Sequence, residues 1–193
     1  MTVATDRNTS SFQIRAASPA DLTIVAQMIA DSFHSQNGFW GIFFPLLRLG
    51  IYEDLRHRFA SRVPNHICLV VIDTKAETTQ NLVGSVELSL RFSDSWMFPR
   101  KSFPYLSNLA VHPQYRRKGV ASSLLTSCEK IALTWGFNDI YLHVLQNNYK
   151  ARQLYFKSGY HVRNVEFNWN TFLLRRSQQI FLHKHLSRNN GIV

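Results

Sequence analysis

The chain has 193 residues, with 22 lysines and arginines against 12 aspartates and glutamates, giving a formal charge of +10. This length predicts one domain with a core that needs no disulfides, and the charge raises a nucleic-acid partner although no nucleic-acid module is visible. No run reaches the ~18 apolar residues of a membrane-spanning helix, since the longest, residues 39–47, is broken by Pro45. Residues 1–11 lack a signal-peptide core and read as a flexible tail, 12–186 as the domain, and 187–193 as a second tail. Alternation over 12–16 predicts a first strand. Ser18-Pro19 then opens a helix over 21–33, with Leu22, Val25, Met28 and Ile29 at helical spacing. Residues 35–50, rich in Phe and Trp, read as a loop or broken helix, and a second helix covers roughly 51–62. Strands follow at 67–73 and 82–92 around a polar turn, and then comes an irregular segment, 93–103, holding Trp96 and Pro99. A strand at 105–111 leads to a helix at 120–135, a strand at 140–144, a helix over 149–157 and a last strand at 178–186. Cys68 falls in a strand pattern and Cys128 in a helix pattern, at a spacing that matches no metal or redox motif, so both are expected as buried fillers in a reducing compartment.

The most informative stretch is YLSNLAVHPQYRRKGVA, from Tyr105 to Ala121. An apolar strand ends at His112-Pro113, a basic triplet follows, and Gly119 and Ala121 open a helix. Backbone N–H groups at a helix start lack intrahelical acceptors, and the helix dipole favours negative charge there. Arg116, Arg117 and Lys118 would add charge-assisted hydrogen bonds, so the turn predicts a site for a diphosphate-bearing cofactor. The spelling is neither a Walker P-loop nor a Rossmann fingerprint. A second block, IYLHVLQNNYKARQLYFKSGY, reads as a strand, an Asn148 cap, a helix and a Ser158-Gly159 stop.

Arg116-x-x-Gly119-x-Ala121 resembles the Arg/Gln-x-x-Gly-x-Gly/Ala signature of the GNAT acetyltransferases, and Asn148-x-x-Ala151-x-x-Leu154-Tyr155 is similar to the second half of that domain. The element order β-α-α-β-β-β-α-β-α-β-β agrees with the GNAT topology, an α/β fold with a mixed twisted sheet of about seven strands and about four helices. The resemblance is specific over 105–160 and general elsewhere. It implies acetyl-CoA as cosubstrate, bound by the backbone of Leu109, Ala110 and Val111, whose side chains are ordinary core residues. It also implies binding by Arg116, Arg117, Lys118, Gly119, Val120, Ala121 and Ser122, and by Asn147, Asn148, Tyr149, Lys150 and Tyr155. Tyr155 is implied as the acid that protonates the departing sulfur.

The base is open. Many family members carry a glutamate on the fourth strand, where this chain has Ser107 and Asn108. Tyr105 and His143 resemble the strand tyrosine and histidine that hold a proton-accepting water in NatE-type N-terminal acetyltransferases; the alternative is a core histidine beside an aromatic ring. Glu87 is a fallback base on a polar face that is either solvated or covered by a helix. His183 and His185 share a strand face without a third ligand, so no metal is expected, and His112 ends its strand. Residues 39–47, 93–103 and 164–172 are expected to set specificity.

Overall wording resembles the cyanobacterial and plastid-type branch, which implies acetylation of protein N-termini, lysines or both. A lysine amine is only ~0.1% neutral near pH 7.5, an α-amine roughly a third to a half, so lysine demands more of the base. Small-molecule amines, or a non-catalytic acetyl-CoA or nucleic-acid binder, are the alternatives. The expected setting is the cytoplasm of a cyanobacterium-like cell, or the plastid stroma, as a monomer or weak dimer, off the membrane, with proximity to the ribosome left open.

Overall fold

Strands and helices form where alternation and helical spacing place them, in a computed structural model that describes residues 11–34, 44–61, 64–76, 81–92, 102–166 and 178–187. In chain order they are β1 (Phe12–Ala16), α1 (Leu22–His34), α2 (Phe44–Ala60), β2 (His66–Asp73), β3 (Leu82–Phe92) and β4 (Ser102–Val111). There follow α3 (Val120–Thr134), β5 (Asp139–Leu145), α4 (Tyr149–Lys157), β6 (His161–Glu166) and β7 (Gln179–His185). The strands take the order β1-β2-β3-β4-β5-β7-β6 in one mixed sheet, parallel between β4 and β5 and antiparallel at β1–β2, β5–β7 and β6–β7. This is the α/β architecture and element order expected from the sequence. Among the described residues no helix is long and apolar enough to cross a membrane.

Two boundaries differ from expectation. The second helix starts at Phe44, not near residue 51, because Pro45 falls in its first turn, where a missing N–H removes no intrahelical bond. β4 starts at Ser102, since the fixed φ of Pro104 is compatible with extended backbone. Of the expected specificity segments, residues 39–43, 93–101 and 167–172 lie outside the described residues, as do the tails at 1–10 and 188–193.

The chain groups into two compact units, Met1–Glu87 with Asn108–Leu124, and Leu88–Ser107 with Leu125–Val193. In the first, Leu22, Val25, Ala26, Met28 and Ile29 of α1 pack with Leu55 of α2, Cys68 and Val70 of β2, and Ala110 of β4. Glycine is required at position 84: a Cβ there would sit 2.7 Å from Val120 Cγ1, so its absence lets the first turn of α3 approach β3. In the second unit Ile140, Leu142 and Val144 of β5 and Ile180 and Leu182 of β7 are buried. The alternate positions, Tyr141, His143, Phe181 and His183, make an aromatic face.

The entry to α1 is fixed by one carboxylate. Asp21 accepts both guanidinium nitrogens of Arg15, at 2.7 and 2.9 Å, and the N–H and hydroxyl of Ser18, at 2.7 and 2.8 Å. The Arg15 hydrogen bonds, helped by those from Ser18, hold the Asp21 carboxyl down at about 2 against the burial that would raise it. An unfolded aspartate titrates near ~3.9, so the stabilisation is complete above about pH 4 and is lost as pH falls toward 2. Asp21→Asn should therefore lower the unfolding free energy by about 1–2 kcal/mol at pH 7. Denaturant titrations at pH 7 and 2.5 check this: the gap between variant and wild type should shrink at the lower pH.

Candidate active site

β4 ends where the backbone N–H of His112 donates to Val83 O at 2.9 Å, and a short 3-10 turn over Pro113–Tyr115 leads into the basic triplet. Arg117 and Gly119 have φ of 64° and 86°, both in the left-handed region. The N–H of Ser123 donates to Gly119 O at 3.0 Å and starts the α3 ladder, so the N–H groups of Val120, Ala121 and Ser122 have no acceptor within the helix. A Cβ on Gly119 would meet no heavy atom within 4 Å, so its left-handed backbone, not crowding, favours glycine.

The side chains of Arg116, Arg117 and Lys118 are exposed. Two of them also shape the turn: Arg116 Nε donates to Val111 O at 3.3 Å, and Lys118 Nζ lies 4.9 Å from the Tyr115 ring centroid. Free backbone donors, open space at Gly119 and three cationic side chains fit a diphosphate. Just before the turn, Ala110 is buried, whereas Leu109 and Val111 are only half-buried and not full core residues.

In the second unit, β4 pairs with β5 at Tyr105↔Tyr141 and Leu106↔Leu142. That register lets the Tyr105 phenol reach His143, the next residue on the same face of β5, and its oxygen lies 2.9 Å from Nδ1. The phenol either donates to Nδ1 or accepts from Nδ1–H, according to the imidazole tautomer. Phe181 of β7 stacks on His143 with centroids 4.6 Å apart, and the Arg91 guanidinium sits 3.5 Å from the Tyr105 ring centroid. Arg91 and Phe181 were not among the sequence candidates. Only the pairing of β5 with β7, which sets His143 opposite Phe181, could have revealed the latter.

Tyr155 belongs to the same unit. It is buried on α4, and that burial, with a smaller effect from Tyr105, pushes its phenol above the ordinary tyrosine value. Asn148 caps α4 by accepting the N–H of Ala151 at 3.2 Å, while Asn147, Tyr149 and Lys150 are exposed at the helix start. His183 Nε2 and His185 Nδ1 both lie against Asp139 Oδ1, at 2.7 and 3.0 Å, which accounts for that pair.

Glu87 is covered by α2 and 1% exposed, which decides between the two faces the sequence left open. Its Oε2 accepts Arg58 Nη1 at 2.7 Å and Asn108 Nδ2 at 2.9 Å, and its Oε1 lies 3.8 Å from His66 Nε2. Burial alone would raise its carboxyl, but His66, Arg58 and Asn108 outweigh this and hold it below the usual range. A carboxylate so stabilised is a poor proton acceptor near neutral pH.

In the first unit the start of α3 combines unbonded helix N–H groups with three cations, a setting suited to an anion. In the second, a phenol–imidazole pair bridges neighbouring strands and a phenol is buried on α4. The family model described as "Acetyltransferase (GNAT) family" matches residues 31–160. GCN5-related N-acetyltransferase 10, chloroplastic, of Arabidopsis thaliana is 27% identical over 171 residues, 84% of this chain and 67% of that protein. GCN5-related N-acetyltransferase 7, chloroplastic, of the same plant is 37% identical over 78 residues, 40% of this chain and 28% of that protein. The fold is similar to that of PaiA N-acetyltransferase from Thermoplasma acidophilum in complex with coenzyme A, with TM-score 0.66, 19% identity, and 91% and 99% of the two chains covered. It is also similar to Arabidopsis thaliana NAA60 in complex with a bisubstrate analogue, with TM-score 0.64, 17% identity, and the same shares covered. The chain belongs to the GNAT acetyltransferase family: it is an N-acetyltransferase that uses acetyl-CoA and acts on an amine.

Gly119→Ala must hold an L-residue at positive φ, so it should cost about 1 kcal/mol of stability and weaken coenzyme A binding roughly tenfold. Calorimetric titration of coenzyme A into both proteins checks this; equal affinities would show that the turn does not hold the diphosphate.

Proposed function

We propose that this enzyme transfers acetyl directly from acetyl-CoA to protein amines, N-terminal α-amines and lysine ε-amines, within a ternary complex. The observation that carries the reading is the hydrogen bond between Tyr105 and His143, 2.9 Å long. A phenol and an imidazole on neighbouring strands can hold a water that takes the proton from the substrate ammonium and so frees the neutral amine to attack, which no carboxylate on β4 is present to do.

Acetyl-CoA supplies an activated acetyl thioester. The backbone of Leu109, Ala110 and Val111 bonds its pantetheine arm, and the N–H groups of Val120, Ala121 and Ser122 with Gly119 bind its diphosphate. Arg116, Arg117 and Lys118 neutralise the phosphates. Asn148 orders the start of α4, where Asn147, Tyr149 and Lys150 present polar groups to the coenzyme. Tyr155, kept protonated by its buried setting, donates its proton to the sulfur as the carbon–sulfur bond breaks. Tyr105 and His143 accept the proton of the amine through a water, so the amine is neutral when it attacks.

A protein acceptor is supported by the aromatic strip of Tyr141, His143 and Phe181, which offers apolar contact beside the proton acceptor. The chloroplast relatives named as GCN5-related N-acetyltransferases support work in a plastid stroma or a cyanobacterium-like cytoplasm. The two buried free cysteines, with the Cys68 thiol pushed up to about 12 by burial, suit a reducing compartment.

Mass spectrometry of a peptide mixture incubated with acetyl-CoA tests the acceptor: acetylated N-termini, lysines or both are expected. Acetylation of polyamines or free amino acids with no peptide product would replace this reading by a small-amine one. Tyr155→Phe should lower kcat about 100-fold, and His143→Ala should do so most strongly below pH 8, where amines are largely protonated. Full rates in folded variants would remove these roles.

A further inference from the structure

The carboxylate at Glu87 is buried and held by charged and polar side chains, yet the proposed proton transfers do not use it. Its ligands come from three elements: Arg58 of α2, Asn108 of β4 and, at longer range, His66 of β2. One of them is unusual. Asn108 lies inside a strand with φ of 53°, a left-handed conformation that interrupts the pleat immediately before Leu109. A non-glycine residue in that region is disfavoured and is held there by its surroundings. Its side chain is bonded to the buried carboxylate, with Nδ2 donating to Glu87 Oε2 at 2.9 Å. Glu87 is in turn held by Arg58, which also pairs with Asp54 one turn back on α2.

We propose that Glu87 is a positioning residue for donor binding: through Asn108 it holds β4 in its left-handed break and so aims the backbone of Leu109–Val111 that receives acetyl-CoA. The inference rests on the reading that those backbone groups bind the donor. On this proposal Glu87 acts through Asn108 rather than on the reacting atoms, and its effect is confined to the half of the reaction that involves the coenzyme. The chain solves a geometric problem with a buried ion pair: asparagine tolerates the left-handed region better than other side-chain-bearing residues, and the carboxylate locks it there.

A double-mutant cycle tests this. Glu87→Met should raise the KM for acetyl-CoA and the Kd for coenzyme A roughly tenfold, because a small misplacement of binding groups is costly. The KM for the amine should stay within about twofold. Glu87→Gln, whose amide oxygen can still accept from Asn108, should recover most of the affinity. In an Asn108→Gly background, where glycine adopts positive φ unaided, Glu87→Met should change the coenzyme constants less than about twofold. A purely structural role would lower the active fraction without moving either KM. A role as base would lower kcat and shift the pH profile. Either result, or an equal effect of Glu87→Met in both backgrounds, overturns the proposal. Should Glu87→Met not fold, Asn108→Ala against Asn108→Gly carries the same test: alanine should weaken coenzyme A binding more than glycine, and equal constants would overturn it. If wild-type protein fails to bind coenzyme A, the donor reading itself falls; wild-type binding with no effect of Glu87 removes only this inference.

Discussion

The left-handed backbone of Asn108 is the constraint on which the functional account depends. A strand that stayed regular would spend its N–H and C=O groups on neighbouring strands and offer a ligand nothing. β4 instead pairs with β5 at Tyr105 and Leu106, breaks at Asn108, and continues to Val111 and the basic turn. One strand thus serves two ends: its first half carries a phenol to an imidazole, and its second leads to the basic turn and helix start proposed to hold the donor. The break lies in the middle of the strand, so whatever fixes Asn108 also fixes where these two roles separate.

The electrostatics divide in the same way. The turn after β4 is cationic and exposed, with Arg116, Arg117 and Lys118 beside unpaired helix N–H groups, so it attracts a charged ligand from solution. The groups proposed for chemistry are neutral or shielded. Tyr155 is buried and keeps its proton, and His143 lies between a phenol and a phenyl ring. In the proposed mechanism the charge would gather the donor and the low polarity would favour the neutral amine, as a reaction requires in which a proton must leave before attack. Glu87 belongs to neither group. Its charge is paired with Arg58, and its proposed part is to position the backbone rather than to react.

Much of this was legible in the sequence because the relevant signals are local. Alternation gave the strands, Asn148 and Gly159 bracketed α4, and the Arg-x-x-Gly-x-Ala spelling marked the helix start; the left-handed φ of Gly159, 84°, is the physical content of that stop. Tyr105 and His143 were paired only by resemblance, since their contact needs a parallel register that no local pattern encodes. The contacts of Phe181 and Arg91 depend on strand neighbours far apart in sequence and left no local trace. Glu87 was legible as a polar residue in an apolar strand, but its covering helix was not, because α2 shows no clean apolar stripe and only Leu55 among its described side chains is fully buried. The early start of α2 was hidden by Pro45, which ends a helix in its interior but is welcome in a first turn.

Backbone amide exchange, followed by mass spectrometry with and without coenzyme A, tests the central claim most directly. If β4 beyond Asn108 and the start of α3 receive the donor, added coenzyme should slow exchange most strongly in the segments 109–111 and 119–122. Binding that leaves both segments unchanged, or that protects other parts of the chain instead, would contradict the account.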